Sequence, residues 1–563
     1  MRKAGFGVVS MSFAMILLAA AGFSAGDPYD YKELVTTEQR PIAEIGYGLF
    51  DFGKDAIGWL VLRGLPRGEY EIVIGEMTNS TGHVDNPWGE STIRVQTLKG
   101  MIDSCDFRVP MPPDPVNVVG YKPETAPAIR LPEKFGVVFP FRYVEIVKSP
   151  GHVDSGNLVR MMVHYPIDMS QSFFESDNAI LNEVYELCKY SILATSFCGM
   201  YVDGDRERTP YEGDAYINQL SQYAVDADYS LARKSHEWLM DHETWPTEWK
   251  QHSILIAWAD WMWTGDVRSI RKFYPKLKKK LLGNYERHDI VDYPSKFRDG
   301  YRMHSVSNCV IDAFNCRNLE QMAEMAVAIG ELEDAKEYRR RFEEAKREFN
   351  DRYFSEERQL YVDYKAGGDR WGRYSSLHSN AVALAFDLAD RQKVPHVIDF
   401  LKMSGMACSV YFSQYLLEAY CRAGHVEQAV KLMSSDGPCS WKAMIDFGAT
   451  ITMEAWSIAA KDNLDMNHAW GAVPANIIAR YVCGVTPLTP GFGTISIRPN
   501  LGGLKWFKAR VPTAKGQIVL NVVGDELSVE IPSRSIVEWG GMSYEVGAGR
   551  HTFTKGRADV MKQ

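Results

Sequence analysis

Between about Asp177 and Cys483, apolar residues recur at helical spacing, and on both sides of that stretch the pattern changes to short β-type runs. This change of texture limits the possible folds more than any other feature. Helical runs are read at Ile180–Leu187, Ile217–Val225, Ile254–Trp263, Leu319–Ile329, Ala335–Phe349, Ala381–Leu388, Tyr411–Ala423, Val426–Met433 and Ala472–Tyr481. Helices in such number pair into a closed toroid or a solenoid. No strict repeat period marks a solenoid, so a closed (α/α) barrel is expected. Upstream, Phe50–Gly53, Gly58–Leu62, Tyr70–Ile74 and Phe141–Ile146 read as strands of a β-sandwich. Downstream, Thr494–Ile497, Gln517–Asn521 and Leu527–Ile531 read as a small β domain. With 563 residues the chain exceeds one compact core. The expected division is an N-terminal β-sandwich over 26–170, an all-α barrel over 171–484 and a small C-terminal β-sandwich over 485–563.

The first 25 residues read as a signal peptide: Arg2 and Lys3, an apolar stretch from about Val8 to Ala21, then small residues at Ser24-Ala25. The apolar part is short for a membrane span, so a secreted or periplasmic protein without a retained span is expected. The net charge is −9 with no basic block, which argues against nucleic acid. Nine scattered cysteines without CxxC spacing fit neither a zinc site nor a dense disulfide framework. The sequence carries no signal of oligomeric state.

Chemistry concentrates in a few runs. Asp203-Gly204-Asp205-Arg206-Glu207-Arg208-Thr209-Pro210-Tyr211-Glu212-Gly213-Asp214 crowds carboxylates and arginines into a loop before a helix. Crowded carboxylates raise one another's pKa and arginines oppose them, which is how one acid is kept protonated beside an ionised one. The same run would also serve as a salt-bridge network at a helix start. Glu454 sits in an apolar setting beside Trp456, followed by Asp465-Met466-Asn467-His468. A carboxylate placed there is either paired, functional or turned to solvent. Two such carboxyl groups flanking one bond are what glycoside hydrolysis needs. Trp245 and Trp249 flank a proline and are candidates for stacking on sugar rings, whereas Trp258 and Trp261 have the spacing of a packed helix face. His378 and His468 are possible hydrogen-bonding partners of a sugar.

With these residues in view, the chain resembles the bacterial α-L-rhamnosidases of glycoside hydrolase family 78, in the six-hairpin glycosidase superfamily. The resemblance rests on Phe50-Asp51-Phe52-Gly53 with Gly58-Trp59 and Gly75-Glu76, on Glu207-Arg208 through Tyr211 and Gly213-Asp214, and on Gly448-Ala449-Thr450 with Glu454-Ala455-Trp456. Asn467-His468 and Pro490-Gly491 add to it. It implies an (α/α)6 barrel and an inverting mechanism, with Glu207 as general acid, Glu454 as base and the two carboxyls ~6.5–9.5 Å apart. Asp203, Tyr211, Asp214 and His468 would hold the sugar. Asp205, Arg206, Trp245, Trp249 and Trp456 complete the candidate substrate contacts. No cofactor is implied; a calcium ion is allowed, although no ligand cluster declares one. The implied partner is a rhamnose-containing glycan or glycoside. The sequence departs from the family pattern at Asp203-Gly204-Asp205 (for Asp-Cys-Pro), at Met453 (for Trp) and at Trp249-Lys250 (for Trp-Gly-Asp). Two alternatives remain open: another toroid enzyme, either a glucuronyl hydrolase or a polysaccharide lyase, and a glycan-binding protein without turnover.

Overall fold

The computed structural model describes residues 26–88, 92–112, 127–244, 248–282, 308–363, 374–461, 463–556 and 561–562. The leader read at 1–25 and the stacking candidate Trp245 lie outside the described residues.

Alternating apolar residues near the N-terminus build eight strands: β1 (Val35–Gln39), β2 (Ala43–Gly46), β3 (Leu49–Arg63), β4 (Gly68–Gly75), β5 (Val95–Ile102), β6 (Asp106–Arg108), β7 (Phe139–Lys148) and β8 (Leu158–His164). They form one hydrogen-bonded antiparallel sheet in the order β1-β8-β3-β7-β4-β5, with β2 and β6 also paired to β3. The two runs expected as separate strands, Phe50–Gly53 and Gly58–Leu62, are both parts of β3, which has 15 residues. An irregularity in its pairing with β7 between Asp51 and Ala56 lets one strand serve both stretches. Its two faces have different neighbours, as the period of two requires. Phe50, Phe52, Leu60 and Leu62 enter the sheet's own core with Ile72, Ile74 and Phe141. Ile57, Trp59 and Val61 join a larger core shared with the helices. Each such side chain stabilises the fold by roughly 1.5–3 kcal/mol relative to exposure.

The helical region contains α1 (Ala179–Ala194), α2 (Glu212–Tyr223), α3 (Ser230–Asp241), α4 (Glu248–Thr264), α5 (Arg268–Lys280), α6 (Asn308–Ile329), α7 (Leu332–Tyr353), α8 (Leu377–Ala385), α9 (Val394–Ser404), α10 (Ser413–Arg422), α11 (Val426–Met433), α12 (Trp441–Asp446) and α13 (Val473–Ile477). A π-helical turn, Ile478–Val482, continues α13. Every expected helical run falls on one of these elements. Four helices, α3, α5, α9 and α12, lie outside the expected runs. In α3 the buried positions include Arg233, Ser235 and His236. In α5 lysines and Pro275 surround a narrow buried stripe of Ile270, Phe273, Tyr274 and Leu277.

The C-terminal region forms a four-stranded and a six-stranded sheet. The edge of the larger one is a short strand that precedes α1: Phe173–Ser176 pairs with Phe507–Arg510. The expected boundary at 171 therefore gives way to a strand exchange, in which the start of the helical region is hydrogen-bonded to its successor. Seven of the nine cysteines are buried. Among the described residues, no helix is long and apolar enough to cross a membrane.

Candidate active site

The acidic loop runs from the turn Ser196–Cys198 to the first turn of α2. Backbone bonds fold it on itself: Asp203 donates to the Thr209 carbonyl (3.1 Å) and Arg208 to the Gly204 carbonyl (3.1 Å). Asp203 Oδ1 accepts from the Thr209 amide at 3.0 Å. Arg208 adopts φ 51°, an unusual conformation for a residue with a side chain. Its guanidinium is held at 2.6 Å by Asp205, which fixes the turn.

A second loop pair faces this one. Glu454 donates its amide to the Asp465 carbonyl, and His468 donates to the Thr452 carbonyl, so 452–454 and 465–468 run side by side. The acidic loop docks onto them through Asp205 N to Asn467 Oδ1 (2.8 Å) and Arg206 N to Asp465 Oδ2 (3.0 Å). The approach requires a glycine: a Cβ on Gly204 would stand 2.5 Å from Asp465 Oδ2. The N-terminal sheet backs the contact. Asn467 donates to Glu76 Oε1 at 3.0 Å, and Arg94 Nε donates to Asp205 Oδ2 at 3.0 Å. Burial pushes Asp55 up to about 6, and burial together with Asp55 pushes Glu76 well above the carboxylate range.

Arg206 is the hub. It grips Glu454 in a bidentate pair (2.8 and 2.9 Å), and its Nη2 also donates to Glu207 Oε1 at 3.2 Å. Lys461 contacts Glu454 Oε1 as well, and the Asp465 amide donates to Oε2 at 3.1 Å. Burial alone would raise the Glu454 pKa; Arg206 and Lys461 overcome it and hold the carboxyl at about 2. Asp203 experiences the opposite balance. Burial and the neighbouring Glu207 push it well above its ordinary value, and its Oδ2 is buried without a hydrogen bond. Tyr211 donates its hydroxyl to Glu207 Oε2 at 2.6 Å, and burial with Asp203 and Glu207 nearby keeps that phenol protonated.

Asp214, in the first turn of α2, meets His468 Nε2 at 2.7 Å, both fully buried. Burial raises the Asp214 pKa and His468 opposes it. Trp249 lies in the first turn of α4, 5.4 Å from the Tyr211 ring and 6.0 Å from Tyr411. Gly213 makes room for it, since a Cβ there would approach Trp249 to 2.6 Å.

The structure thus brings together Asp203, Arg206, Glu207, Tyr211, Asp214, Trp249, Glu454 and His468. Three assignments change. Asp205 is fully buried and both its oxygens are held, by Arg94 and Arg208, so it ties domains together rather than touching sugar. Arg206 is committed to carboxylates. Trp456 is buried, with its indole N–H on the Cys408 carbonyl (2.7 Å) and its ring edge-on to Trp441, so it supports the wall behind Glu454. Between the two carboxyls, expected ~6.5–9.5 Å apart, stands the Arg206 guanidinium. Glu207 Oε1 and Glu454 Oε1 both lie within 3.2 Å of one nitrogen, Arg206 Nη2, and so lie less than twice that distance apart with a guanidinium at the gap. His378 is buried against Phe412, with ring centroids 4.2 Å apart. Lys461 was not anticipated; its one sequence signal is a cation seven positions after Glu454. Among the described residues, no group of three or more His, Cys, Asp or Glu side chains gathers as metal ligands.

Known proteins share this fold. Among solved structures, an α-L-rhamnosidase from Dictyoglumus thermophilum superposes with a TM-score of 0.74 at 18% identity, covering 95% of this chain and 64% of that one. The Streptomyces avermitilis α-L-rhamnosidase complexed with L-rhamnose gives 0.71 at 18% identity, covering 92% and 53%. At these identities the likeness establishes the fold. A curated α-L-rhamnosidase from Alteromonas sp. (strain LOR) is 24% identical over 456 residues, 70% of this chain and 47% of the relative; the chain spans about half that protein's length. The model of the bacterial alpha-L-rhamnosidase C-terminal domain matches residues 484–535. That of the bacterial alpha-L-rhamnosidase 6 hairpin glycosidase domain matches 169–482, more than half the chain and the whole span between the two carboxyl loops, and the chain belongs to that family.

Proposed function

We propose that this protein is an α-L-rhamnosidase that removes terminal α-L-rhamnosyl residues from a glycan or glycoside by an inverting, two-carboxylate mechanism. The observation that carries the reading is Arg206, which draws Glu454 and Glu207 to one point and leaves them in different electrostatic settings. Glu454, held ionised, is the base that takes a proton from the attacking water. Glu207, which shares Arg206 Nη2 with Asp203, is the acid. Asp203, which burial and its neighbour Glu207 push toward the neutral form, supplies the proton, and Glu207, the more exposed of the two at 14%, hands it to the leaving oxygen. Inversion requires Arg206 to withdraw from Glu207 as the sugar enters, which opens the gap for water. Tyr211, Asp214, Trp249 and His468 line the ring's side of the site. No step is routed through a metal. The helices are proposed to close as an (α/α)6 barrel and the N-terminal sheet to fold over as a sandwich. The leader at 1–25 would carry the protein to the periplasm or beyond.

The test is release of free L-rhamnose from an aryl α-L-rhamnoside and from rhamnose-containing polysaccharides by wild type, Glu207→Gln and Glu454→Gln. Release that collapses in both variants supports the assignment; no release from any rhamnoside contradicts it. The guanidinium at the gap favours one second reading, a sugar-binding protein without turnover, in which rhamnose binds equally well to wild type and Glu207→Gln and neither hydrolyses.

A further inference from the structure

A second cavity, of about 480 Å3, opens between the helices and the C-terminal strands, with Arg317, Arg422 and Arg480 in its wall. That volume is in the range of small-molecule sites, and a seam between domains is where such sites occur. It is separate from the carboxyl site. Trp258, in its wall, lies nine residues beyond Trp249 on α4, about 13 Å along the helix at ~1.5 Å per residue.

Three features give the cavity a chemistry. The first is cationic. Arg480 pairs with Glu418 at 2.5 Å and reaches Asn476 at 3.2 Å, yet its Nε is buried without a hydrogen-bond partner. Arg422 stands at the mouth, its side chain 27% exposed and paired to Asp387 on the outside. Burial lowers its pKa, and the charges of Arg317 and Arg480 lower it further. The second feature is aromatic. Arg317 lies over the Trp258 ring at 5.1 Å and Arg480 over Tyr481 at 5.0 Å, and both rings are half-buried in the same wall. The third is polar: Ser496 and Asn500, from the C-terminal side, line the opposite part.

Guanidinium forks suit the oxygens of a carboxylate or sulfate. Flat rings beside hydroxyl and amide groups suit a polyhydroxylated ring. We infer that this cavity is a second carbohydrate site, taking an acidic sugar whose carboxylate or sulfate is held by Arg317, Arg422 and Arg480 and whose ring lies against Trp258 and Tyr481. The inference stands apart from the catalytic reading, because it concerns binding at other residues.

The experiment is calorimetric titration of the whole protein with D-glucuronate, glucose 6-sulfate, glucose and inorganic sulfate, in the presence of saturating L-rhamnose. The expected result is binding of one or both acidic sugars, none of glucose, and inorganic sulfate at least about tenfold weaker. Arg422→Gln and, independently, Arg317→Gln each weaken the acidic sugar about tenfold or more, by loss of a charge-assisted bond. Both variants are accepted only if their melting curves match wild type, and Arg422→Gln retains rhamnoside hydrolysis. Failure of both acidic sugars to bind wild type overturns the inference. So does glucose or inorganic sulfate binding as tightly, or displacement by L-rhamnose. Loss of rhamnoside hydrolysis with acidic-sugar binding intact would refute the catalytic reading alone.

Discussion

Asp203 and Glu454 are almost equally buried, at 3% and 4% exposure, and both lie beside Arg206. Their charges nevertheless diverge. Glu454 receives two guanidinium bonds, a lysine and a backbone amide, and stays ionised down to about pH 2. Asp203 sees Arg206 only at 3.9 Å, has Glu207 as a neighbour, and is pushed toward its neutral form. Burial therefore does not decide protonation at this site; the allocation of one arginine does. A single guanidinium turned toward one carboxylate and away from another produces a base and an acid from chemically similar groups.

The contrast can be broken most strongly by removing either catalytic group. Glu454→Gln and Glu207→Gln should each lower hydrolysis of an aryl α-L-rhamnoside by ~10²–10⁴-fold, measured as kcat/KM with melting curves as the control for folding. Next in size is Arg206→Met. It leaves Glu454 with Lys461 and the Asp465 amide, so the acid limb of the pH–rate profile should move to higher pH. Stability should respond as well. The folded pKa of Glu454 lies below the ~4.3 of an unfolded glutamate, so its contribution is present above that pH and is lost as the pH falls toward 2. Arg206→Met should flatten that part of the stability curve. An unchanged curve would mean that Arg206 does not set the charge on Glu454.

Asp203→Asn sharpens the other half of the comparison. The folded pKa of Asp203 is raised, so ionisation favours the unfolded chain as the pH climbs past ~3.9, and the wild type loses stability over that window. The asparagine variant should lack this loss and gain in Tm at pH 7 relative to pH 4. Its hydrolysis should fall, because Asp203, the carboxyl held toward its neutral form, no longer supplies a proton to Glu207. The smallest effect is expected at Gly213→Ala. Its Cβ meets Trp249, and overpacking of this kind costs ~1–3 kcal/mol, read as a lower Tm with a modest drop in activity.

Much of this was legible in the chain. Helical periodicity located α1, α2, α4, α6 to α8, α10, α11 and α13, through the apolar residues that each of them buries. It missed α3, whose buried face mixes Leu231, Leu239 and Met240 with His236 and with Arg233, paired to Asp260 at 2.6 Å. The crowding of carboxylates and arginines marked the acidic loop. Which arginine serves which acid was not legible, because the partners of Arg206 and Asp205 are 248 residues downstream at Glu454 and 111 residues upstream at Arg94. Local sequence could suggest that Asp205 and Trp456 touch sugar, but only the docking of the loops shows their bonds already taken. The Phe173–Ser176 strand was hidden for the same reason: its partner lies at the far end of the chain.

The most direct test of the account is to follow hydrolysis of an aryl α-L-rhamnoside by proton NMR and identify the anomer that appears first. The account predicts β-L-rhamnose first with wild type, mutarotating to the mixture later, and no product above background with Glu207→Gln or Glu454→Gln. First appearance of the α anomer, or undiminished turnover in either variant, would contradict the division of labour between the ionised Glu454 and the proton-bearing Asp203–Glu207 pair.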